Sequence, residues 1–428
     1  MSNVPMTRPE EALAMHDITH HYACGYVERA DGSILKISGT KFTTSDDGGI
    51  TWSDYYECHD PDGELVQGRS LARLEGNAIG ISNVVSAPQD PDVYNYMSFR
   101  RSEDGGKTWG PPLRVSPDVY SVSDYHDTMI RTSSGRLIMP VYCSLGQESA
   151  ANDVPGPWGG KLVKGQWVSV GAHIFDMGFY CSFVYYSDDD GVTWKKSKHE
   201  ELLVYLDYGT VVSYANEPSV TEVEPGTLLM FLRTGVGRLF QAWSYDNGET
   251  WTRPEPTSLA TSTAPGQIRT LPNGHLLAVW NQQSPEEVRR GYIRSRISTA
   301  ISRNGGSVWE FFQNVTSLHE ETRVEPGPIE PVRQEEYYYG PDMPAPERKA
   351  EYVTETDEYG VWTYPSVLVL KDRVIISHRY YLYTEHETRA ELLKNGERND
   401  WIEKVKVLPL SWFYGGKEPA DSPRIAGS

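Results

Sequence analysis

Short apolar runs separated by polar turns recur along most of the chain. A typical unit is an apolar run, a polar turn that often ends in glycine, and a second apolar run, which is the pattern of an antiparallel hairpin. Few segments have the longer period that predicts an amphipathic helix. Six such units occur, at Ala30–Ser38, Glu75–Ser82, Ser134–Tyr142, Pro225–Arg233, Asn273–Asn281 and Lys371–Arg379. The pattern therefore predicts an all-β chain.

An eight-residue motif of the form S-x-D-x-G-x-T-W, which we call the Asp box, follows five of the six units. Its copies are "SDDGGITW" (Ser45–Trp52), "SEDGGKTW" (Ser102–Trp109), "SDDDGVTW" (Ser187–Trp194), "SYDNGETW" (Ser244–Trp251) and the degraded "SRNGGSVW" (Ser302–Trp309). Aspartate accepts backbone N–H groups across a turn, glycine tolerates positive φ, and we expect the tryptophan to pack beneath its own sheet. Each box therefore predicts the hairpin between the third and fourth strands of a four-stranded sheet.

Six four-stranded units arranged radially make a six-bladed β-propeller, which is the fold we predict. We expect residues 1–428 to form a single propeller domain. Two insertions interrupt the repeat, at about residues 145–180 in the third unit and at residues 319–352 before the last. Long loops on a rigid ring are either functional covers or solvated excursions, and the sequence leaves both readings open.

The repeat also aligns the positions at which the innermost strand of each blade begins, around the central funnel where propellers bind ligands. Counting back nine residues from the turn glycine gives Ala23, Gln67, His126, Glu217 and Pro265, with Thr363 or Tyr364 in the last unit. Three of these side chains, His126, Glu217 and Tyr364, suit acid–base chemistry, and we expect them to converge on one cavity. The plainer reading of each is a strand cap or a buried, hydrogen-bonded side chain.

The net charge of −19 argues against partners that carry many negative charges, namely nucleic acid and anionic membranes. An anionic substrate would need a local cluster of arginines to overcome this field. The 4 cysteines are scattered, without C-x-x-C or a histidine pair at metal-ligand spacing, so we expect neither a metal nor another cofactor. The first residues lack an apolar core of signal-peptide length, which predicts a cytoplasmic protein, or a secreted or periplasmic one if a leader was removed.

The boxes, the six units and the stretch "YANEPSVTEVEPGTLLMFLR" resemble sialidases and their wider BNR-repeat relatives. The resemblance implies that Glu217 is a catalytic base and that Tyr364, in "TYPSV", is the nucleophile. It also implies that Arg233 and Arg294 anchor the substrate carboxylate, because each keeps the family's spacing to a turn glycine or to a later box.

Two departures from the sialidase pattern concern the first blade. The segment "HHYACGYVERADG" has no arginine where sialidases carry the first of three, and "SGTKFTT" is too short for their acid/base loop. His126, or Asp127 beside it, would then protonate the leaving oxygen. Arg69 and Arg131, from the second and third units, are further candidates for lining the funnel.

Three functions remain open from the sequence. The first is an exo-glycosidase that cleaves a terminal acidic sugar, either a sialic or a uronic acid, from a glycan. The second is a polysaccharide lyase, or another uronate-active enzyme, that uses histidine and tyrosine as base and acid. The third is a non-catalytic propeller that binds glycans. The expected partner is an acidic oligosaccharide in the first two, and the sequence does not specify an oligomeric state.

Overall fold

Antiparallel strands make up almost all regular structure in this computed structural model. The structure describes residues 12–18, 24–86, 95–116, 121–145, 160–163, 166–169, 179–198, 202–206, 211–213, 215–261, 264–285, 287, 294–317, 321–330, 359–383 and 402–419. Within this part of the chain, no helix is long and apolar enough to cross a membrane.

Apart from two small hairpins, the described strands form six sheets, which we number as blades 1 to 6 in chain order. Blade 1 contains Cys24–Glu28, Ile34–Ser38, Lys41–Ser45 and Tyr56–Glu57, and blade 2 contains Ser70–Arg73, Ile79–Ser86, Asn95–Ser102 and Leu113–Arg114. Blade 3 contains Ser121–Ser123, Ile130–Arg131, Leu137–Leu145, Phe179–Ser187 and Lys195–Lys196. Blade 4 contains Asn216–Glu224, Thr227–Arg233, Arg238–Ser244 and Glu255–Ala260, and blade 5 contains Gly266–Thr270, Leu276–Trp280, Arg296–Ser302 and Glu310–Ser317.

Blade 6 closes the ring with a strand from the other end of the chain. It contains Tyr359–Val369, Arg373–Tyr383, Ile402–Pro409 and, outermost, Ala14–Ile18. The first strands of blades 6 and 1 contact each other, as do those of other neighbouring blades, so the six blades form a β-propeller as predicted.

The hydrophobic core is divided into six clusters, one between each pair of neighbouring blades. For example, Ile37 of blade 1 packs in one cluster with Ile79 and Ile81 of blade 2. Each blade thus buries both of its faces, which explains why its central strands read as continuous apolar runs. At the seam between blades 1 and 6, buried Lys36 and Glu403 form an ion pair of 2.8 Å.

The Asp boxes form the hairpins between the third and fourth strands of their blades, as predicted. In blade 3, the Asp189 carboxylate accepts the Thr193 backbone N–H at 2.8 Å, and the Gly191 N–H donates to Ser187 at 2.8 Å. Gly191 has a φ of 86°, and a Cβ there would lie 2.1 Å from a carbon of Phe99 in blade 2. The glycine therefore serves both the turn and a close approach to the preceding blade.

The box tryptophans correct one expectation. Trp194 of blade 3 packs its edge against Phe99 of blade 2, with ring centroids 5.1 Å apart, and Trp309 of blade 5 lies 5.6 Å from Phe231 of blade 4. These indoles fill the interface with the preceding blade rather than only the space beneath their own sheet. The expectation was incomplete because a turn motif encodes the hairpin and not the neighbour that covers it.

The two predicted insertions lie only partly within the described residues. The first contributes a small hairpin of Gly160–Val163 and Gln166–Ser169, and a second small hairpin, Val204–Leu206 with Val211–Ser213, follows later in the chain. Of the second insertion, residues 321–330 are described and have no strand. A short 3-10 helix, Leu410–Tyr414, follows the last strand.

Candidate functional site

Glu217, Tyr364 and His126 come from the innermost segments of blades 4, 6 and 3 and lie together. The Tyr364 hydroxyl donates a hydrogen bond of 3.0 Å to Glu217 Oε1. The imidazole of His126 packs against the Tyr364 ring, with centroids 5.0 Å apart. Three blades therefore contribute one side chain each to a single cluster.

The backbones that present Glu217 and Tyr364 have the same unusual conformation. Both residues have positive φ, 46° and 55°, and each is followed by proline in the matching segments "NEPSV" and "TYPSV". Strand pairing is interrupted between Asn216 and Ser219, and likewise between Thr363 and Ser366. Proline suits such a bulge because it has no N–H to leave unpaired. A non-glycine residue with positive φ costs about 1–3 kcal/mol, which the surrounding fold must offset.

His126 lies where the innermost strand of blade 3 is interrupted, between Ser121–Ser123 and Ile130–Arg131. Two neighbouring blades hold this gap. The Asp127 N–H donates to the Arg69 carbonyl at 3.1 Å, and the Gln267 amide donates to the His126 carbonyl at 3.1 Å. These hydrogen bonds from blades 2 and 5 hold the backbone that carries the His126 imidazole.

The environment of His126 favours its neutral form. Burial lowers the pKa of His126 well below its usual value, and the positive charges of Arg379 and Arg69 lower it further. Its Nε2 atom is buried and has no hydrogen-bond partner among the described residues. A neutral imidazole at neutral pH is suited to accepting a proton.

Asp127 connects three blades at the centre of the propeller. Its Oδ1 accepts the Tyr26 N–H at 3.2 Å, and its Oδ2 lies 3.9 Å from the Arg269 guanidinium. Asp127 therefore joins the innermost strands of blades 1, 3 and 5. Burial raises the pKa of Asp127 to about 7, although Arg269 opposes this shift, so the carboxyl holds a proton up to near neutral pH.

The two arginines that the resemblance selected both lie in the cluster. The guanidinium of Arg233 donates to Glu217 Oε2, and Arg233 is only 3% exposed. Arg294 donates to the Thr363 hydroxyl at 2.6 Å, and its guanidinium carbon lies 5.1 Å from the centroid of the Tyr364 ring. Arg294 also has positive φ, 53°, which adds a third strained backbone beside the same tyrosine.

Of the other two candidate arginines, one lies in the cluster and the other does not. Arg69 donates to Asp124 at 3.3 Å and lies close enough to His126 to lower its pKa, so it belongs to the cluster. Arg131 does not, because it lies at the opposite end of blade 3, where it pairs with Asp190 of the Asp box at 3.2 Å. The strand that starts beside His126 runs toward the box, and five residues of it carry Arg131 away from the funnel.

Sequence reasoning missed Arg379, Asp124 and Tyr125. The guanidinium carbon of Arg379 lies 5.8 Å from the centroid of the Tyr364 ring. Burial raises the pKa of Asp124 to about 6. The Tyr125 hydroxyl donates to the Pro365 carbonyl at 2.6 Å and so braces the backbone next to Tyr364. Arg379 pairs with Thr363, directly before the bulge of "TYPSV", as Arg233 pairs with Asn216, directly before the bulge of "NEPSV".

In the described part of the chain, no group of three or more histidine, cysteine, aspartate or glutamate side chains is placed to hold a metal ion. The 4 cysteines all lie in described residues and are buried, and none of the four forms a disulfide bond.

The profile of the BNR repeat-like domain matches residues 82–376, more than half of the chain. The chain belongs to this family. Its fold is also similar to that of a Hadza microbial sialidase, at 14% identity and a TM-score of 0.53 over 95% of this chain and 68% of that one. A GH93 alpha-L-arabinofuranosidase of Fusarium graminearum in complex with arabinobiose is similar at 14% identity and a TM-score of 0.51 over 96% of this chain and 98% of that one.

A curated relative has a name that points to carbohydrate chemistry. It is an anhydrosialidase of Macrobdella decora, 25% identical over 224 residues, or 50% of this chain. The chain spans 23% of the length of that relative. The family match and the structural similarities establish a BNR repeat-like chain with a β-propeller fold.

Proposed function

We propose that this protein is a glycoside hydrolase that removes a terminal acidic sugar, a sialic or a uronic acid, from a glycan. The observation that carries the proposal is the 3.0 Å hydrogen bond from Tyr364 to Glu217, flanked by the arginine cluster. The relatives named for sialidase and arabinofuranosidase activities support a glycosidase. Their low identity leaves the substrate to be argued from the site.

Tyr364 is the proposed nucleophile. Free tyrosine has a pKa of about 10, so it needs a neighbouring base, and Glu217 accepts its hydrogen bond. Tyr364 Oη attacks the anomeric carbon while its proton passes to Glu217, and the bond to the leaving oxygen breaks. A neutral nucleophile suits a sugar whose carboxylate would repel a second carboxylate.

The leaving oxygen takes its proton from Asp127, or from His126 in the fraction of enzyme in which that imidazole is protonated, and water then releases the sugar from tyrosine. Asp127 holds its proton up to about pH 7, whereas the lowered pKa of His126 keeps the imidazole neutral there. Hydrolysis is therefore expected to be faster at mildly acidic than at alkaline pH. Separate pH–rate profiles of D127N and H126Q identify the donor, because the variant that lacks it loses the alkaline limb.

Fluorogenic glycosides test the proposal directly. The enzyme is incubated with 4-methylumbelliferyl α-sialoside and with 4-methylumbelliferyl β-glucuronide. We expect release from one of them, and a loss of about 1,000-fold or more in Tyr364→Phe. Tyr245→Phe is the matched control, because Tyr245 is 70% exposed in the Asp box of blade 4. Absence of release from both substrates at high enzyme concentration would contradict the proposal.

A lyase is the second candidate, and the state of His126 favours it. A neutral, buried imidazole beside a tyrosine suits the abstraction of a proton next to a uronate carboxylate, with Tyr364 protonating the leaving oxygen. Incubation with acidic polysaccharides then gives an unsaturated uronate with ultraviolet absorbance. Flat absorbance across the panel removes this candidate.

A further inference from the structure

Most charges in the cluster are paired. Arg69 contacts Asp124, with N and O 3.3 Å apart, and Arg233 contacts Glu217. A third pair lies below them, where Arg269 approaches the Asp127 carboxylate to 3.9 Å. Each of these three carboxylates therefore has its own arginine.

Two arginines are left over beside Tyr364. Among the residues that the structure describes, neither Arg294 nor Arg379 forms an ion pair with a carboxylate, and Arg294 finds only the Thr363 hydroxyl. The Arg379 Nε atom is buried with no hydrogen-bond partner in the same described set. Burial lowers the pKa of Arg379, which reflects the cost of keeping its charge away from water. A buried charge without a counter-charge is strongly unfavourable, so this arrangement is suited to an anion from outside.

The comparison of blades 4 and 6 explains how the excess arises. Arg233 pairs in the sheet with Asn216, and Arg379 pairs with Thr363, so both arginines hold the same place relative to a bulge. In blade 4 the next residue is Glu217, whose carboxylate neutralises Arg233. In blade 6 the equivalent residue is Tyr364, which has no charge to offer. The substitution of glutamate by tyrosine therefore leaves Arg379 without its internal counter-charge.

We propose that Arg294 and Arg379 together bind the carboxylate of the ligand over Tyr364, and that Arg233 is a positioning residue for Glu217. Arg233 is buried and already occupied, whereas Arg294 and Arg379 are half-buried and lie 5.1 and 5.8 Å from the same ring. The identity of the ligand as an acidic sugar rests on the proposed function, but anion binding can be measured without catalysis.

The test compares acidic sugars with their uncharged counterparts. Isothermal titration measures the Kd of N-acetylneuraminate and of glucuronate, and of the methyl ester of each, with wild type and with Arg379→Met and Arg294→Met. We expect wild type to prefer at least one acid over its ester. Each substitution should weaken the acid by about 10-fold to 100-fold and leave the ester unchanged, as loss of a charge-assisted hydrogen bond predicts. Arg131→Met, which removes an arginine at the box end of blade 3, is the matched control and should bind as wild type does.

Two further arms keep the outcome interpretable. Arg379→Lys retains the positive charge but cannot donate two parallel hydrogen bonds to a carboxylate. An affinity between those of wild type and Arg379→Met therefore supports a bidentate contact. Because Arg379 is unpaired in the absence of ligand, Arg379→Met should melt no lower than wild type. The proposal is overturned if wild type shows no preference for an acid over its ester, or if Arg379→Met keeps the full preference.

The binding data also separate this proposal from the proposed hydrolysis. Acid preference that depends on Arg379, without turnover of any glycoside, would leave the carboxylate site standing and refute the hydrolase. Turnover with a preference independent of Arg379 would do the reverse.

Discussion

The two ends of the blades differ in how they treat backbone strain and charge. At the end that carries the Asp boxes, five turns repeat one pattern, and each satisfies its own polar groups through serine, aspartate or asparagine, and backbone N–H. At the funnel end, the residues nine before the turn glycines differ from blade to blade. Seven described non-glycine residues have positive φ, namely Asp127, Asp190, Glu217, Asn247, Arg294, Phe311 and Tyr364.

Two of these seven, Asp190 and Asn247, are turn residues of boxes, where aspartate and asparagine are well tolerated. Four others, Asp127, Glu217, Arg294 and Tyr364, belong to the funnel cluster. Strain and unpaired charge thus collect where the sequence does not repeat. The end with the Asp boxes forms the scaffold. The funnel end holds side chains in strained conformations that are unfavourable for stability alone, which is typical of a functional site.

The largest expected effect comes from removing the base at the funnel end. Glu217→Gln keeps a hydrogen-bond acceptor near Tyr364 but cannot take its proton. We expect kcat to fall by about 1,000-fold, within the range of a lost general base. Steady-state hydrolysis of the fluorogenic substrate measures this, with Glu224→Gln, exposed at the end of the same strand, as control. Equal losses in both variants would show that carboxylate removal in blade 4 acts through folding.

The box end should respond in stability and not in chemistry. Gly191→Ala forces a Cβ against Phe99 at 2.1 Å and strains a φ of 86°, so we expect a loss of about 3 kcal/mol or more in the free energy of unfolding. Gly226→Ala is the control for strain alone, since its φ of 78° is similar but no atom lies within 4 Å, and we expect about 1 kcal/mol. Urea denaturation measures both. Similar losses in the two variants would show that the approach of the preceding blade costs nothing.

The centre of the ring should add a pH dependence to stability. The folded pKa of Asp127, about 7, lies above its ordinary value, so the folded state holds an extra proton between about pH 4 and pH 7. This contribution to stability is lost as pH rises through that window. We therefore expect the stability of Asp127→Asn, relative to wild type, to increase from pH 4 to pH 7 in denaturation curves. A constant difference would place Asp127 in a more solvated setting than the structure does.

The smallest effect should come from repairing the degraded box. In the other four boxes a threonine hydroxyl donates to the aspartate, but blade 5 has Asn304 and Val308 in these places. The double substitution Asn304→Asp and Val308→Thr restores one hydrogen bond on the surface, and we expect a gain of about 0.5–1 kcal/mol. Thermal unfolding measures it. A loss of stability would mean that the blade 5 turn has diverged beyond its sequence.

The scaffold was readable from the sequence because it repeats and because its turns are local. The turn glycine and the box locate the strand starts, and this counting leads to Glu217 and His126, whereas the last unit gives Thr363 or Tyr364. Arg379 escaped it because the last unit lacks both the turn glycine and the box that mark strand ends elsewhere. The position of Trp194 escaped it for another reason, since packing against the preceding blade depends on the closed ring and not on the turn.

Arg131 shows that a residue close in sequence to a site residue can lie far from the site in space. As a residue of the third unit it was a candidate for lining the funnel, but the strand direction takes it to the box, where it pairs with Asp190. The pairing of Arg233 with Glu217 was likewise visible only in space, because sequence spacing does not say whether an arginine faces a ligand or a neighbouring carboxylate.

The most direct test of the account is to trap the sugar on the protein. The enzyme is incubated with 2,3-difluorinated sialic acid and with the corresponding fluorinated glucuronyl fluoride, then analysed by intact-protein mass spectrometry and peptide mapping. The account predicts one glycosyl adduct, located on Tyr364 and absent from Tyr364→Phe. An adduct on another residue, or turnover of the unfluorinated glycoside that persists in Tyr364→Phe, would contradict it.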